Sequence, residues 1–97
     1  MAKFFLTNKA LEDLNEIWKY TVEEWSETQA EIYYNLLLDT CEILAKKPNQ
    51  CKKYDIVDQN LLGFKSGQHL IFYKIVSDKE IEVIRILHSL MDLKYHI

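Results

Sequence analysis

Arg85 is the residue whose surroundings invite chemistry first. It is the only arginine in a chain of 97 residues and sits within Val83-Ile84-Arg85-Ile86-Leu87, hydrophobes on both sides. A guanidinium held on a firm strand can meet phosphate or carboxylate bidentately. The same setting suits a structural ion pair with an acid such as Asp92, or a cation stacked on Phe72. His88 follows at the point where that strand should end. An imidazole there can serve general acid–base work or a structural hydrogen bond. His69 begins the preceding strand, and an antiparallel register brings it toward His88. No HxxxH or comparable ligand spacing marks a metal site, so neither metal nor other cofactor is expected. His96 lies near the end of the sequence.

Other catalytic constellations are missing. Gly63 and Gly67 are the only glycines, so no glycine-rich phosphate loop can form. Ser66, Ser77 and Ser89 lack a nucleophile elbow or relay. Glu23 and Glu24 read as a solvated helix end. Cys41 falls on an apolar stripe and Cys51 in a polar loop, without zinc or redox spacing, and two free thiols are expected. Trp18, Trp25, Tyr33 and Tyr34 recur at helical spacing, which suits core packing or a groove for a partner.

The elements that must hold these residues follow from periodicity. Hydrophobic residues make up 48% of the chain, enough for one domain spanning 1–97. No apolar run reaches membrane-spanning length and the N-terminus lacks a secretion signal, so a cytoplasmic, membrane-free protein is expected. The net charge of −3 hides a split: residues 1–45 carry nine acids and three lysines, whereas residues 46–97 carry nine bases and six acids. Binding to nucleic acid through phosphate neutralisation, or by direct sequence-specific contacts, is not expected of such a chain.

Lys3 to Thr7 reads as an opening strand, and Thr7 or Asn8 as the cap of a helix carrying Leu11, Leu14, Trp18, Thr21, Val22 and Trp25 on one stripe. Ser26-Glu27-Thr28-Gln29 is a capping box that starts a second helix, stopped by Pro48. Ile32, Leu36, Leu38 and Ile43 broaden its stripe beyond what one core can take. The period then changes to two. Strands are expected at Leu61–Lys65, Gln68–Val76 and Ile81–Leu87, with turns at Ser66-Gly67 and Ser77–Glu80. With Val76 opposite Ile81, Phe72 faces Arg85, Lys74 faces Val83 and Ile71 faces Ile86. One face then carries Ile71, Tyr73, Ile75, Ile84 and Ile86 for the helices. The other carries Leu70, Phe72, Lys74, Val83, Arg85 and Leu87, apolar with two cations set into it, and with Lys65 it forms an open surface for a partner to cover. The predicted fold class is α+β: an N-terminal strand and helical hairpin on a mostly antiparallel sheet of three to four strands.

The segments Gly67-Gln68-His69-Leu70-Ile71-Phe72-Tyr73-Lys74-Ile75 and Ile81-Glu82-Val83-Ile84-Arg85-Ile86-Leu87-His88, with Met91-Asp92, resemble the ParE branch of the RelE/ParE toxin superfamily. The helical residues from Ala10 to Tyr20, then Trp25-Ser26, Gln29-Ala30, Leu44-Ala45 and Pro48, extend the resemblance along almost the whole chain. It implies the toxin of a type II toxin-antitoxin module, poisoning DNA gyrase and neutralised by a ParD-like antitoxin. Trp18, Trp25, Tyr33 and Tyr34 would line the antitoxin groove. The alternatives are a ribosome-dependent, metal-independent mRNA endoribonuclease of RelE type, with Arg85, His88 and Lys65 as its catalytic set, or an attenuated toxin that only binds its antitoxin. Such nucleases use a tyrosine or histidine near the C-terminus, and Tyr95 and His96 sit too close to the end to match it. Leu62 and Gln68 stand where many relatives carry arginine, which counts against cleavage, since metal-free cleavage needs several cations around its transition state. Arg85→Ala is expected to spare the fold and lower toxicity.

Overall fold

The computed structural model describes residues 2–47, 52–53 and 61–88. Pro48, Cys51, Asp92, Tyr95 and His96 lie outside them. Strand β1 (Lys3–Leu6) leads into helix α1 (Asn8–Glu24), then α2 (Glu27–Lys46), β2 (Lys52–Lys53), β3 (Leu62–Ser66), β4 (His69–Ser77) and β5 (Glu80–His88). The sheet order is β1-β5-β4-β3-β2, one more strand than expected, because the two-residue β2 joins the edge. β1 runs parallel to β5 and the remaining pairs are antiparallel.

The helix boundaries follow local chemistry. Of the two candidate caps, Thr7 does the work: its hydroxyl accepts from the Ala10 N–H at 3.1 Å. Ser26 accepts from the Gln29 N–H at 3.0 Å and opens α2. Lys46 in the last turn complements the helix dipole. Ala10, Leu14, Leu37, Cys41, Leu44 and Ala45 from the helices pack on Leu62, Ile71, Tyr73, Ile81, Val83 and Ile86 from the sheet. A buried hydroxyl pair, Thr40 Oγ1 to Ser66 Oγ at 2.8 Å, pins α2 to β3.

The register of β4 on β5 confirms Phe72 opposite Arg85 and Ile71 opposite Ile86, and corrects the rest. Tyr73, not Lys74, faces Val83, and Ile75, not Val76, faces Ile81. Between these points β5 contains one extra residue, Ile84, and β4 one extra residue, Val76, so two bulges offset each other. Each inserted residue inverts the alternation beyond it. Val83 therefore points to the helices, while Ile84 joins the opposite face.

That opposite face is not open as expected. Leu61, Phe72 and Leu87 form a second apolar cluster with Leu70 and Ile84 packed against it, leaving Phe72 1% and Leu87 4% exposed. Of the residues expected to face a target or antitoxin, Phe72, Val83 and Leu87 are buried; Leu70, Lys74 and Arg85 are half-buried; Lys65 alone is exposed. Apolar side chains on both sides of a sheet lower the free energy most by being buried on both.

β1 ends opposite Val83, so β5 continues past the last residue of β1, and among the described residues no strand pairs with it on that side. The chain entering α1 takes over: the Thr7 N–H donates to the Val83 carbonyl at 3.1 Å and the Thr7 hydroxyl to the Ile84 carbonyl at 2.8 Å. One step further, the Ile86 N–H donates to Asp13 Oδ2 at 3.0 Å.

Candidate functional site

Asp13 and Arg85 organise the ground beneath α1. Arg85 Nε donates to Asp13 Oδ2 at 2.7 Å and its terminal nitrogen to Oδ1 at 2.9 Å, a two-pronged pair with side chains 16% and 14% exposed. The hydrogen bond to Asp13 raises the Arg85 pKa further. Arg85 was expected on the outer face. The β5 bulge instead lets its guanidinium reach the helix, which makes a structural ion pair the observed state, with Asp13 as an acid; the expected partner Asp92 lies outside the described residues. No sequence spacing announced Asp13, because it lies 72 residues away on another element.

A second constellation forms where α2 crosses the β3–β4 turn. Gly67 adopts φ +59°, and a Cβ there would stand 2.6 Å from Tyr33 Cε1. Only glycine allows the phenol to lie that close. The Tyr33 oxygen accepts from the Gln68 N–H at 2.9 Å and lies 2.5 Å from His69 Nδ1. The phenol either donates to Nδ1 or accepts from Nδ1–H, according to the imidazole tautomer. Burial, and next the nearby His88, lower the His69 pKa to about 4, against a smaller opposing pull from Asp13. Burial likewise raises the Tyr33 pKa, partly offset by the Gln68 hydrogen bond. The expected approach of His69 to His88 is present: they are register partners with ring centroids 5.4 Å apart.

These groups meet at a cleft of about 470 Å³ whose walls include Tyr20, Trp25, Tyr33, Gln68, His69 and His88. A smaller hollow of about 230 Å³ shares His69 and His88 and continues past Asp13, Glu16 and Arg85. The four aromatics expected to act together are split. Trp18 and Tyr34 pack edge to face at 5.8 Å between the helices, whereas Trp25, 74% exposed, and Tyr33 line the cleft. Ile32, Leu36 and Ile43 are exposed along one stripe of α2, the surplus that its broad apolar pattern anticipated. Cys41 is buried beneath, where desolvation pushes its thiol up to about 12. No helix among the described residues is long and apolar enough to cross a membrane.

This architecture has close counterparts. The chain is 33% identical over 101 residues to Toxin ParE1 of Caulobacter vibrioides, covering 100% of this chain and 99% of that one. It is 29% identical over 92 residues to Toxin ParE1 of Mycobacterium tuberculosis, covering 95% and 94%. The solved chromosomal ParDE TA system from P. aeruginosa contains a chain with the same fold, TM-score 0.76 at 19% identity, covering 91% of this chain and 96% of that one. The family defined as the ParE toxin of the type II toxin-antitoxin system parDE matches residues 4–93. With both helices and all of the described strands except Lys3 inside that match, the chain belongs to the ParE toxin family of type II toxin-antitoxin systems.

Proposed function

We propose that this toxin arrests growth in the cytoplasm by binding DNA gyrase and stalling it on cleaved DNA, and that a ParD-like antitoxin neutralises it. The chain acts as one domain and as a binding poison rather than an enzyme. Membership of the ParE family across residues 4–93 carries the reading. The Asp13–Arg85 pair supports it over the RelE-type alternative. A nuclease would need the arginine free to stabilise a charged transition state, yet the guanidinium is already held by two bonds to a carboxylate.

The antitoxin covers the exposed stripe of α2. Burying a branched side chain fully is worth about 1.5–3 kcal/mol, so the half-exposed Ile32, Leu36 and Ile43 together offer a partner about 3 kcal/mol. The likeness in fold to a chain of the P. aeruginosa ParDE system supports a partner of ParD type.

The test incubates the purified toxin with gyrase and supercoiled plasmid. Cleaved DNA covalently linked to gyrase should accumulate and should vanish when the antitoxin is added first. Codon-specific cuts in ribosome-bound mRNA would replace this reading with the nuclease. Neither effect, with antitoxin binding kept, would leave an attenuated toxin.

A further inference from the structure

Two imidazoles face each other across the β4–β5 hairpin. His69 and His88 are direct register partners, with ring planes at 80° and centroids 5.4 Å apart. Both point to the helix side of the sheet, into the wall shared by the cleft and the smaller hollow. We propose that this cross-strand pair binds one divalent d-block cation of the Zn2+, Ni2+ or Cu2+ class, with water completing the coordination shell.

The separation fits. An ion about 2.1 Å from an imidazole nitrogen lies about 3.2 Å from the ring centre, so two rings at a tetrahedral angle have centroids about 5.2 Å apart. The observed 5.4 Å requires only a small adjustment. Imidazole donors favour this class of ion over Ca2+ or Mg2+, which take oxygen ligands.

The surroundings resemble a supporting shell. His69 Nδ1 is engaged by Tyr33, so ligation runs through Nε2. A ligating histidine usually donates its other N–H to a fixed oxygen, and the Tyr33 oxygen is fixed by the Gln68 N–H. In the ligating tautomer Nδ1–H donates to the Tyr33 oxygen, while the phenol turns its own proton toward the cleft. The imidazole stays neutral and the proton count is unchanged. The hollow of about 230 Å³ holds an ion with several waters, each needing about 30 Å³. Its wall includes the acids Asp13 and Glu16, with Arg85 beside Asp13.

Among the described residues no group of three or more His, Cys, Asp and Glu side chains is placed to hold a metal. Two protein ligands and water make a weaker site than a four-ligand structural centre. The sequence brought the two histidines together through hairpin register, but no ligand spacing marked them as a metal site.

The experiment titrates the full chain with Zn2+ by calorimetry and with Cu2+ by electron paramagnetic resonance. One ion should bind per chain, and the Cu2+ spectrum should carry nitrogen couplings from two imidazoles, a readout that needs no variant. His88→Gln and His69→Gln should each weaken Zn2+ at least about tenfold, Tyr33→Phe about tenfold through the lost supporting oxygen, and His96→Gln should change nothing. No saturable binding up to about 1 mM Zn2+ would overturn the site. So would affinity unchanged in both His69→Gln and His88→Gln, or affinity lost in His96→Gln.

Discussion

The Asp13 carboxylate on α1 holds two neighbours on β5 at once, the Arg85 guanidinium through both oxygens and the Ile86 N–H through Oδ2. A helix is thereby fastened to a strand at the bulge that re-aims Arg85. All three donors converge on one side chain, which fixes the helix along the strand as well as above it.

Asp13→Asn should therefore destabilise the fold by about 2–3 kcal/mol, and Arg85→Ala by a similar amount, because each breaks the half-buried two-pronged ion pair. This replaces the expectation that Arg85→Ala spares the fold. Urea unfolding of both single variants and the double variant should give a coupling energy of about 1 kcal/mol or more. Full stability in Arg85→Ala would show that the pair does not fasten the helix.

Gly67→Ala should cost about 2–3 kcal/mol. Roughly 1 kcal/mol comes from the left-handed backbone and the rest from overlap with the Tyr33 ring. The same substitution in a Tyr33→Leu background should cost less, since the ring no longer occupies the space. Equal penalties in the two backgrounds, measured by thermal melts, would argue against the overlap.

Acid should weaken the fold through His69. In chelator-containing buffer its pKa is about 4 when folded against 6.5 for an ordinary histidine. Between these values the unfolded chain binds the extra proton, so stability falls as pH drops from about 6.5 to 4 and the histidine contributes nothing further below that. Partial exposure limits the effect to about 1–2 kcal/mol. The difference in unfolding free energy between wild type and His69→Gln should narrow or reverse across this window; parallel curves would show that His69 is not held neutral.

Ile32→Glu together with Leu36→Glu should leave the melting temperature within a few degrees, because both side chains are exposed. Antitoxin affinity should fall about 30-fold, the loss of about 2 kcal/mol of apolar burial. Undiminished affinity by calorimetry would move the antitoxin to another face.

The helices were legible because their signals are local. Thr7 and Ser26 cap as their types dictate, and the surplus on α2 showed in Ile32, Leu36 and Ile43. Strands β3 to β5 were found within one residue at each end. The bulges were not, since nothing in Val76 or Ile84 distinguishes an inserted strand residue from a paired one. That single uncertainty carried Val83 to the wrong face and Arg85 away from Asp13. The closeness of His69 and His88 survived, because the offsets lie between them and the loop rather than at their end of the hairpin.

The end of β5 beyond Val83 would be a bare strand margin if Thr7 and Asp13 did not occupy its carbonyl and amide groups. Another chain seeking to extend the plate there would first have to strip away the helix's own side chains. The fold thus guards itself against domain exchange and fibril-like stacking along that margin, without a proline in the strand.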